Sequence, residues 1–206
     1  KGKNYFLFLS INNISKKFII NKRLKNYVPH ILAVTAVISN FVDIFSIKKN
    51  IFYDFKIPKG RGDIKKIKVK NKSINIIDES YNSNPLSLEF AINNFDKIET
   101  SLYRKYILLG DMLELGRFSK KLHRDVARIL NKSKVNKIFV YGKYIKETFN
   151  KIKTQKKGRI LRNKKEILNL IKNDLSNNDY LMIKASNSTG LNNIIAKIKM
   201  GKLNAI

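Results

Sequence analysis

The chain has 206 residues, of which 43% are hydrophobic, and it carries a formal net charge of +28 at pH 7. Its length and hydrophobic content predict a globular protein with one complete domain and part of a second. The absence of cysteine excludes disulfides, thiolate catalysis and the common zinc sites, and it is compatible with a reducing cytosol. No stretch holds the roughly eighteen uninterrupted apolar residues of a membrane-spanning helix, so we predict no membrane span.

The high positive charge raises the question of nucleic-acid binding, because a small domain needs a net charge of only about 2 to 8. The lysines occur in every segment together with many asparagines and isoleucines, which favours drift of an AT-rich coding sequence over one selected binding face. A basic α/β module that binds RNA or DNA is kept as the alternative function. That module would need exposed aromatic rings, whereas Phe90, Phe95, Phe139 and Phe149 fall at positions typical of a core.

Residues 1–57 contain two strand-like stretches, NYFLFLSI and KFIIN, and then the long apolar stretch YVPHILAVTAVISNFVDIF. We expect the apolar stretch to form a long helix that belongs in a protein core. Nothing in this region closes a sheet by itself, so we interpret it as the tail of another domain. The proline and two glycines of the following segment predict an interdomain linker at 58–63.

From residue 64 onward, short strand-like runs alternate with stretches of helical spacing. The runs IKKIKVK and INIID predict a hairpin across the turn NKS. Helices and strands then alternate in the order PLSLEFAINNFDKI, KYILLG, KKLHRDVARILNKS, KIFVYG, YIKETFNKI, RILR, KEILNLIKNDL, DYLMIKAS and LNNIIAKIKM. This alternation implies right-handed crossovers, so the predicted fold class is α/β, with a mostly parallel sheet covered by helices on both faces.

Polar residues follow three of the predicted strands, where ligands bind in an open parallel sheet. We expect the three loops to converge on one edge. Their polar or small residues are Asp78, Glu79, Ser80, Tyr81, Asn82 and Asn84 in the first, Gly110, Asp111 and Glu114 in the second, and Lys184, Ser186, Asn187 and Ser188 in the third.

Part of this polarity has a structural explanation. Asn84, which precedes Pro85, predicts a helix N-cap. Asp78 and Glu79 have two interpretations: they accept hydrogen bonds from a ribose or support a magnesium-bound phosphate, or they are solvated charges at a strand end. Their spacing alone slightly favours solvated charges.

Two basic residue types give further hints. Lys184 ends a strand that reads as buried, so it needs a counter-charge, which a phosphate or a carboxylate would supply. Arg61 lies in the predicted linker, where it could reach across a domain gap.

The two histidines, His30 and His123, lack ligand neighbours and are interpreted as packed or surface imidazoles. We therefore predict no metal site.

Five motifs resemble the C-terminal domain of the Mur ligase family in order and spacing. They are GRG at 60–62, IIDESYNSNPLSLEFAI, RKYILLGDMLELGRFSKKLHRDVARIL, VYGK and DYLMIKASNSTGLNNII. The motifs SYNSNP and GDMLELG, followed by LHRDV, resemble in particular the member that acts on UDP-N-acetylmuramoyl-tripeptide and D-alanyl-D-alanine. The stretch YVPHILAVTAVISNF resembles the last helix of the family's central ATPase domain.

The resemblance implies a Rossmann-like Mur ligase C-terminal domain at residues 64–206 and the remnant of the central ATPase domain at residues 1–57. It implies a cytoplasmic enzyme that uses ATP and Mg²⁺ to make an acyl phosphate, which the amine of D-alanyl-D-alanine attacks during peptidoglycan precursor synthesis. In this family the C-terminal domain closes over ATP and presents the dipeptide.

Carried over motif by motif, the resemblance suggests eight site residues and no certain catalytic one. The nucleotide-binding residues it suggests are Arg61, Glu79, His30 and Lys184. Arg61 would contact the phosphates, and Glu79 would contact the ribose at a position where relatives often have Asp. The substrate set is Asn82, Asn84, Asp111 and Ser186.

Three departures from the family pattern accompany these assignments. Asn26 and His30 occupy, in exchanged order, the positions of a family histidine and asparagine near adenine. Ala185 replaces a glycine, which adds a Cβ where the backbone approaches closely. The phosphate-binding pattern G-x-x-x-x-G-K-[ST] does not occur in the 206 residues. We therefore expect the chain to be inactive without the missing N-terminal and central domains, and a decayed gene fragment is the third interpretation.

Overall fold

The chain divides into two units, Lys1–Ile57 and Pro58–Ile206, in a computed structural model that describes residues 5–55, 58–100 and 102–201. That the first unit is the remnant of an ATPase domain stays a prediction.

The first unit begins with an antiparallel hairpin of strands β1 (Tyr5–Ile11) and β2 (Ile14–Ile20). The two residues between the strands, Asn12 and Asn13, both have positive φ, which asparagine tolerates well and which suits a two-residue hairpin. A six-residue 3₁₀ segment leads to helix α1 (Val28–Ile38). Two small apolar clusters hold the unit together, and their buried members are Leu9, Phe18, Ile44, Ile20, Leu24 and Ile31.

The predicted long helix is shorter than its apolar sequence suggested. It ends at Ile38 because Ser39 and Asn40 turn their side chains back onto the helix, where both donate hydrogen bonds to the carbonyl of Ala36. These bonds satisfy a carbonyl group of the last turn that lacks a partner within the helix.

The expectation that α1 is buried in a core is wrong for this unit as described. Its buried residues are Ile31 and Thr35, whereas Val34 and Val37 are 54% and 62% exposed. A helix that is apolar on all sides needs packing partners all round, and a two-stranded hairpin covers one side of it. The mismatch reflects the number of packing surfaces in the unit rather than the helix propensity of the sequence.

The second unit is built on a six-stranded sheet with the strand order β3-β4-β8-β5-β6-β7. Strand β3 pairs antiparallel with β4, and the other pairs are parallel. The strands are β3 (Asp63–Val69), β4 (Lys72–Glu79), β5 (Lys105–Gly110), β6 (Lys137–Tyr141), β7 (Lys157–Leu161) and β8 (Tyr180–Lys184). This arrangement confirms the predicted α/β class with a mostly parallel sheet.

Helices cover both faces of this sheet, as predicted. They are α2 (Pro85–Asp96), α3 (Ser119–Lys132), α4 (Lys146–Lys151), α5 (Lys164–Asn169), which continues as a π-helical turn, and α6 (Leu191–Lys199). One apolar cluster joins the sheet to α2 and α3, and a second joins it to α5 and α6. Strand β5 is buried along its whole length because both clusters enclose it.

Helix α2 begins where the sequence predicted. Asn84 accepts a hydrogen bond from the Ser87 backbone N–H at 2.8 Å, and the Ser87 hydroxyl is bonded in return to the Asn84 backbone N–H, so the two form a capping box. The predicted core position of Phe90 is wrong, because its side chain is 52% exposed. The buried stripe runs through Leu88, Ala91, Ile92 and Phe95, and Phe90 lies about 200° around the helix from Leu88.

Gly110 and Ala185 form a close contact between the ends of β5 and β8. A Cβ on Gly110 would lie 2.6 Å from the Ala185 Cβ and 2.9 Å from the Leu191 Cδ1. Thus the Cβ of Ala185, at the position where the family pattern has glycine, lies against Gly110, which has no Cβ. The two positions together contain one methyl group where two do not fit.

We therefore predict that Gly110→Ala lowers the free energy of unfolding by about 1–3 kcal/mol, the usual range for overpacking a filled core. Adding Ala185→Gly should recover part of that loss, although Ala185→Gly alone is destabilising. Urea denaturation of the four variants of this cycle measures the coupling. A Gly110→Ala variant as stable as wild type, or a double variant no more stable than Gly110→Ala, would contradict this packing.

Candidate functional site

The carboxyl ends of β4, β8 and β5 lie side by side in the second unit. In the sheet register, Lys184 at the end of β8 pairs with Glu79 of β4 on one side and with Leu109 of β5 on the other. The strand order reverses at β8, which is the type of position where open α/β sheets bind ligands. The structure therefore brings the three predicted loops, Asp78–Asn84, Asp111–Leu113 and Lys184–Ser186, to one end of the sheet. The Gly60–Gly62 loop lies against the end of β4, and we call these four segments together the rim.

Lys184 is the most buried charge of the rim. Its side chain is 2% exposed, its Nζ donates to the Asn82 carbonyl at 2.9 Å, and it lies 3.7 Å from the Glu79 Oε2. Glu79 thus supplies a counter-charge of the kind that the sequence predicted for Lys184. A buried ammonium needs such partners, because an unpaired charge inside a protein is strongly unfavourable.

The environment shifts the pKa values of Lys184 and Glu79 in the directions that favour their uncharged forms. Burial lowers the pKa of Lys184, and Glu79 opposes that shift while Arg61 adds to it. Burial likewise raises the pKa of Glu79, and Lys184 opposes that shift while Asp78 and Asp63 add to it. A second anion beside Lys184 would therefore stabilise its charged form.

Arg61 is held against the rim by the two glycines that flank it. Gly60 and Gly62 have φ values of +74° and +88°, which glycine adopts without strain. The Gly62 N–H donates to the Asp78 carbonyl at 2.7 Å, and the Tyr81 N–H donates to the Gly60 carbonyl at 3.1 Å. The loop thereby lies against the end of β4, and the Arg61 guanidinium stacks on the Tyr81 ring, 4.3 Å from its centroid.

Ser186 joins all three strand-end loops. Its hydroxyl oxygen accepts from the Leu113 N–H at 2.9 Å and donates to the Ser83 carbonyl at 3.3 Å, while its own N–H donates to the Asp111 carbonyl at 3.1 Å. Ser186 is buried, so in this structure it connects the loops from within. Its direct contact with a substrate stays a prediction.

Asp111 is also buried and bonded to the protein's own backbone. Its two carboxylate oxygens accept from the N–H groups of Lys143 and Ile145, at 2.9 and 2.7 Å. A Cβ on Gly142 would lie 2.5 Å from the same carboxylate, so a glycine is required there. Asp111 thus fixes the loop after β6, and a role in substrate contact stays a prediction.

Two predicted residues are exposed at the rim. Asn82 accepts from the Ser83 N–H at 2.7 Å through its Oδ1, and Asn84 is engaged as the cap of α2. Both asparagines are exposed, and the Asn82 carbonyl accepts a hydrogen bond from the Lys184 ammonium.

His30 belongs to the first unit, and its contact with a nucleotide stays a prediction. It is exposed on α1 in the first unit, where its ring lies 5.6 Å from that of Tyr27. The side chain of Asn26, its counterpart in the exchanged pair, lies outside the described residues.

Asp78 is not a solvated strand-end charge, which corrects the interpretation that its spacing favoured. It is 6% exposed and its carboxylate lies 2.7 Å from the ammonium of Lys199 on α6. The same ammonium contacts Asp63 of β3. No sequence pattern predicted these contacts among Asp63, Asp78 and Lys199, because Lys199 is one of 43 basic residues and lies 121 positions from Asp78.

His123 is a packed imidazole, as predicted. Its Nε2 accepts from the Met112 N–H at 2.9 Å, so its Nδ1 carries the proton and donates to the Ser119 carbonyl at 2.7 Å. The neutral ring therefore anchors the loop after β5 to α3.

A cavity of about 470 Å³ lies next to the rim, beyond the ends of β6 and β7. Sequence reasoning missed it, because its basic residues follow β6 and β7 rather than the three strands whose loops were predicted to bind a ligand. Its lining includes Asp111, whose carboxylate is already bonded, together with polar and basic residues that suit an anionic ligand: Lys143, Lys146, Arg162, Ser188 and Thr189.

The described residues offer no group of three or more His, Cys, Asp or Glu side chains placed to hold a metal ion. Within the same ranges, no helix has the length and apolar character needed to cross a membrane. The cations Arg61 and Lys184 fit a phosphate, whereas no described cluster fits a magnesium ion.

Two neighbouring serines allow a matched test of the rim. The Ser83 hydroxyl is buried and has no hydrogen-bond partner among the described residues, whereas the Ser186 hydroxyl has two. We predict that Ser186→Ala lowers the free energy of unfolding by about 1–3 kcal/mol, because it strips the Leu113 N–H of its acceptor.

Ser83→Ala, by contrast, should leave stability unchanged or raise it by about 1 kcal/mol, since a buried polar group without a partner is removed. Chemical denaturation of both variants gives the comparison. Equal losses in the two variants would contradict these hydrogen-bond assignments.

Residues 60–187 match the family described as Mur ligase, glutamate ligase domain. A UDP-N-acetylmuramoyl-tripeptide–D-alanyl-D-alanine ligase of Bacillus subtilis (strain 168) is 31% identical over 130 residues, which are 61% of this chain and 28% of the relative. The ligase of the same name from Rickettsia prowazekii (strain Madrid E) is 24% identical over 198 residues, which are 94% of this chain and 42% of the relative.

Solved structures share the fold. A crystal structure of MurF from Acinetobacter baumannii superposes with a TM-score of 0.72 at 20% identity, covering 96% of this chain and 43% of that one. MurF ligase from Thermotoga maritima in complex with ADP gives a TM-score of 0.67 at 18% identity, covering 98% of this chain and 44% of that one. The chain therefore spans less than half the length of these proteins. Because the family match covers more than half of its 206 residues, the chain belongs to the Mur ligase family.

Proposed function

We propose that this chain is part of an ATP-dependent ligase that joins D-alanyl-D-alanine to UDP-N-acetylmuramoyl-tripeptide in peptidoglycan precursor synthesis. The observation that carries the proposal is the meeting of Arg61, Glu79 and Lys184 at one rim of a Mur ligase domain. Two relatives, which align with 130 and 198 residues of the chain, bear the name of this ligase.

The nucleotide would be bound by the cationic side of the rim. Arg61, stacked on Tyr81, and Lys184 would contact its phosphates, and Glu79 would accept a hydrogen bond from the ribose. The ADP in the Thermotoga maritima relative supports a nucleotide as the ligand class. When bound, ATP supplies the phosphoryl group that activates the substrate carboxylate. A contact of His30 with the nucleotide belongs to the same proposal.

The dipeptide would lie beside the nucleotide. The exposed amides of Asn82 and Asn84 can hydrogen-bond a peptide, while Asp111 and Ser186 keep the surrounding loops in place. The basic cavity offers Lys143 and Arg162 to the terminal carboxylate of the dipeptide. Holding the amine of the dipeptide close to the activated carboxyl group would contribute through proximity and charge stabilisation.

The remaining parts of the reaction need groups that these residues do not supply. We expect the central domain to bring the phosphate-binding loop and the Mg²⁺ site, and the N-terminal domain to bring the UDP portion of the substrate. A cytoplasmic location follows from the proposed substrates. The 206-residue chain by itself should therefore show no ligase activity.

The test is a fusion of residues 58–206 to the preceding part of the Bacillus subtilis relative. We predict phosphate release that depends on both UDP-N-acetylmuramoyl-tripeptide and D-alanyl-D-alanine, and none from the 206-residue chain alone. Arg61→Ala and Lys184→Met should each lower kcat/KM about 100-fold, because each removes a charge that stabilises the reacting phosphates.

Lys66→Ala, which alters an exposed lysine of β3, is the matched control and should leave the fusion's activity unchanged. The proposal is wrong if a folded fusion releases no phosphate, if release does not require the dipeptide, or if the Arg61 and Lys184 variants match the control.

A further inference from the structure

The ammonium of Lys199 lies between two carboxylates at the edge of the rim. Lys199 is the last residue of α6, and its Nζ contacts Oδ2 of Asp63 and, at 2.7 Å, Oδ2 of Asp78. The Lys199 side chain is 12% exposed and that of Asp78 is 8% exposed. The helix end is held from a second side, because Lys65 donates to the Lys199 carbonyl at 2.7 Å.

Each of these carboxylates uses its other oxygen to hold a rim loop. Oδ1 of Asp63 accepts from the Gly60 N–H at 2.8 Å, and Oδ1 of Asp78 accepts from the N–H and the hydroxyl of Ser80. The backbone of Asp78 also receives the Gly62 N–H. The two residues that flank Arg61 are therefore both bonded to the partners of Lys199.

Lys199 also sets the charge balance around the rim. Asp63 and Asp78 are directly opposite each other in the β3–β4 register, so without a cation between them they would repel. Their negative charge also reaches Glu79, whose pKa is raised mainly by burial and further by Asp78 and Asp63. Glu79 opposes the lowering of the Lys184 pKa that burial causes, and Arg61 adds to that lowering, so the charge at Glu79 is coupled to the cations of the rim.

We propose that Lys199 is a positioning residue of the ligase: by pairing with Asp63 and Asp78 it fixes the Gly60–Gly62 loop and thereby the place of Arg61 at the rim, where an anionic ligand would bind. This inference rests on the proposed function for the identity of the ligand as a nucleotide phosphate. The geometry of the Gly60–Gly62 loop can be tested without that function.

The experiment uses the 206-residue chain, inorganic pyrophosphate as the probe, and hydrogen exchange of the Gly60 and Gly62 amides read by NMR. Lys199→Met should speed exchange of both amides and weaken pyrophosphate binding about tenfold, the size expected for losing one charge-assisted contact. It should also raise the pKa of Glu79 further, which a purely structural role would not do. Lys199→Arg should restore all three readouts towards wild type.

Lys156→Met is the control, because Lys156 is a part-buried lysine that bonds to backbone carbonyls of Leu130 and Ser133. It should lower stability without changing exchange at Gly60 and Gly62. If Lys199→Met does not fold, Asp63→Asn tests the same link through the Gly60 amide and the Glu79 titration.

Unchanged exchange and unchanged pyrophosphate affinity in folded Lys199→Met would overturn the inference, as would a loss that Lys156→Met reproduces. A wild-type chain that does not bind pyrophosphate would count against the proposed function. In that case the amide exchange and the Glu79 titration still decide whether Lys199 positions the loop.

Discussion

The buried ammonium of Lys184 is the constraint on which the rest of the rim depends. Because a charge inside a protein must be compensated, the end of β8 requires an acidic residue and a free carbonyl within reach. Glu79, at the end of β4, and Asn82, in the loop that follows, meet that requirement. The sheet register allows it, since β8 is inserted next to β4 and places Lys184 opposite Glu79.

The same insertion of β8 explains why small and hydroxyl residues cluster there. Gly110 leaves room for Ala185, and Ser186 ties together the loops that follow three strands. Asp111 then fixes the next loop through two backbone N–H groups. The polarity of these motifs thus has two uses: part of it builds the rim from within, and part of it, at Arg61, Asn82 and Asn84, faces outward.

Much of the fold could be predicted from the sequence, since strands and helices alternate with clear apolar periods and Asn84–Pro85 marks a helix start. The burial of individual side chains was harder to predict. Phe90 is apolar but falls outside the stripe that Leu88 and Phe95 define, and its exposure removes one argument against the nucleic-acid alternative. The exposure of α1 could not be foreseen either, because it depends on which surfaces surround the helix.

The candidate site, like the fold, was predictable from the sequence in some features and not in others. The convergence of three loops followed from the rule that parallel strands end at one edge. The link of Asp63 and Asp78 to Lys199 did not, because such a contact depends on where α6 ends relative to β3 and carries no local pattern. The cavity beyond β6 and β7 was missed for a similar reason, as its cations come from separate loops.

The most direct measurement of the central claim is an NMR titration of Lys184 in the 206-residue chain, with and without inorganic pyrophosphate. We predict that burial lowers the pKa of Lys184 below its ordinary value of 10.5 and that added pyrophosphate raises it again, because a nearby anion favours the ammonium. A pKa of Lys184 that is not lowered and does not respond to pyrophosphate would contradict the claim that this rim binds a phosphate.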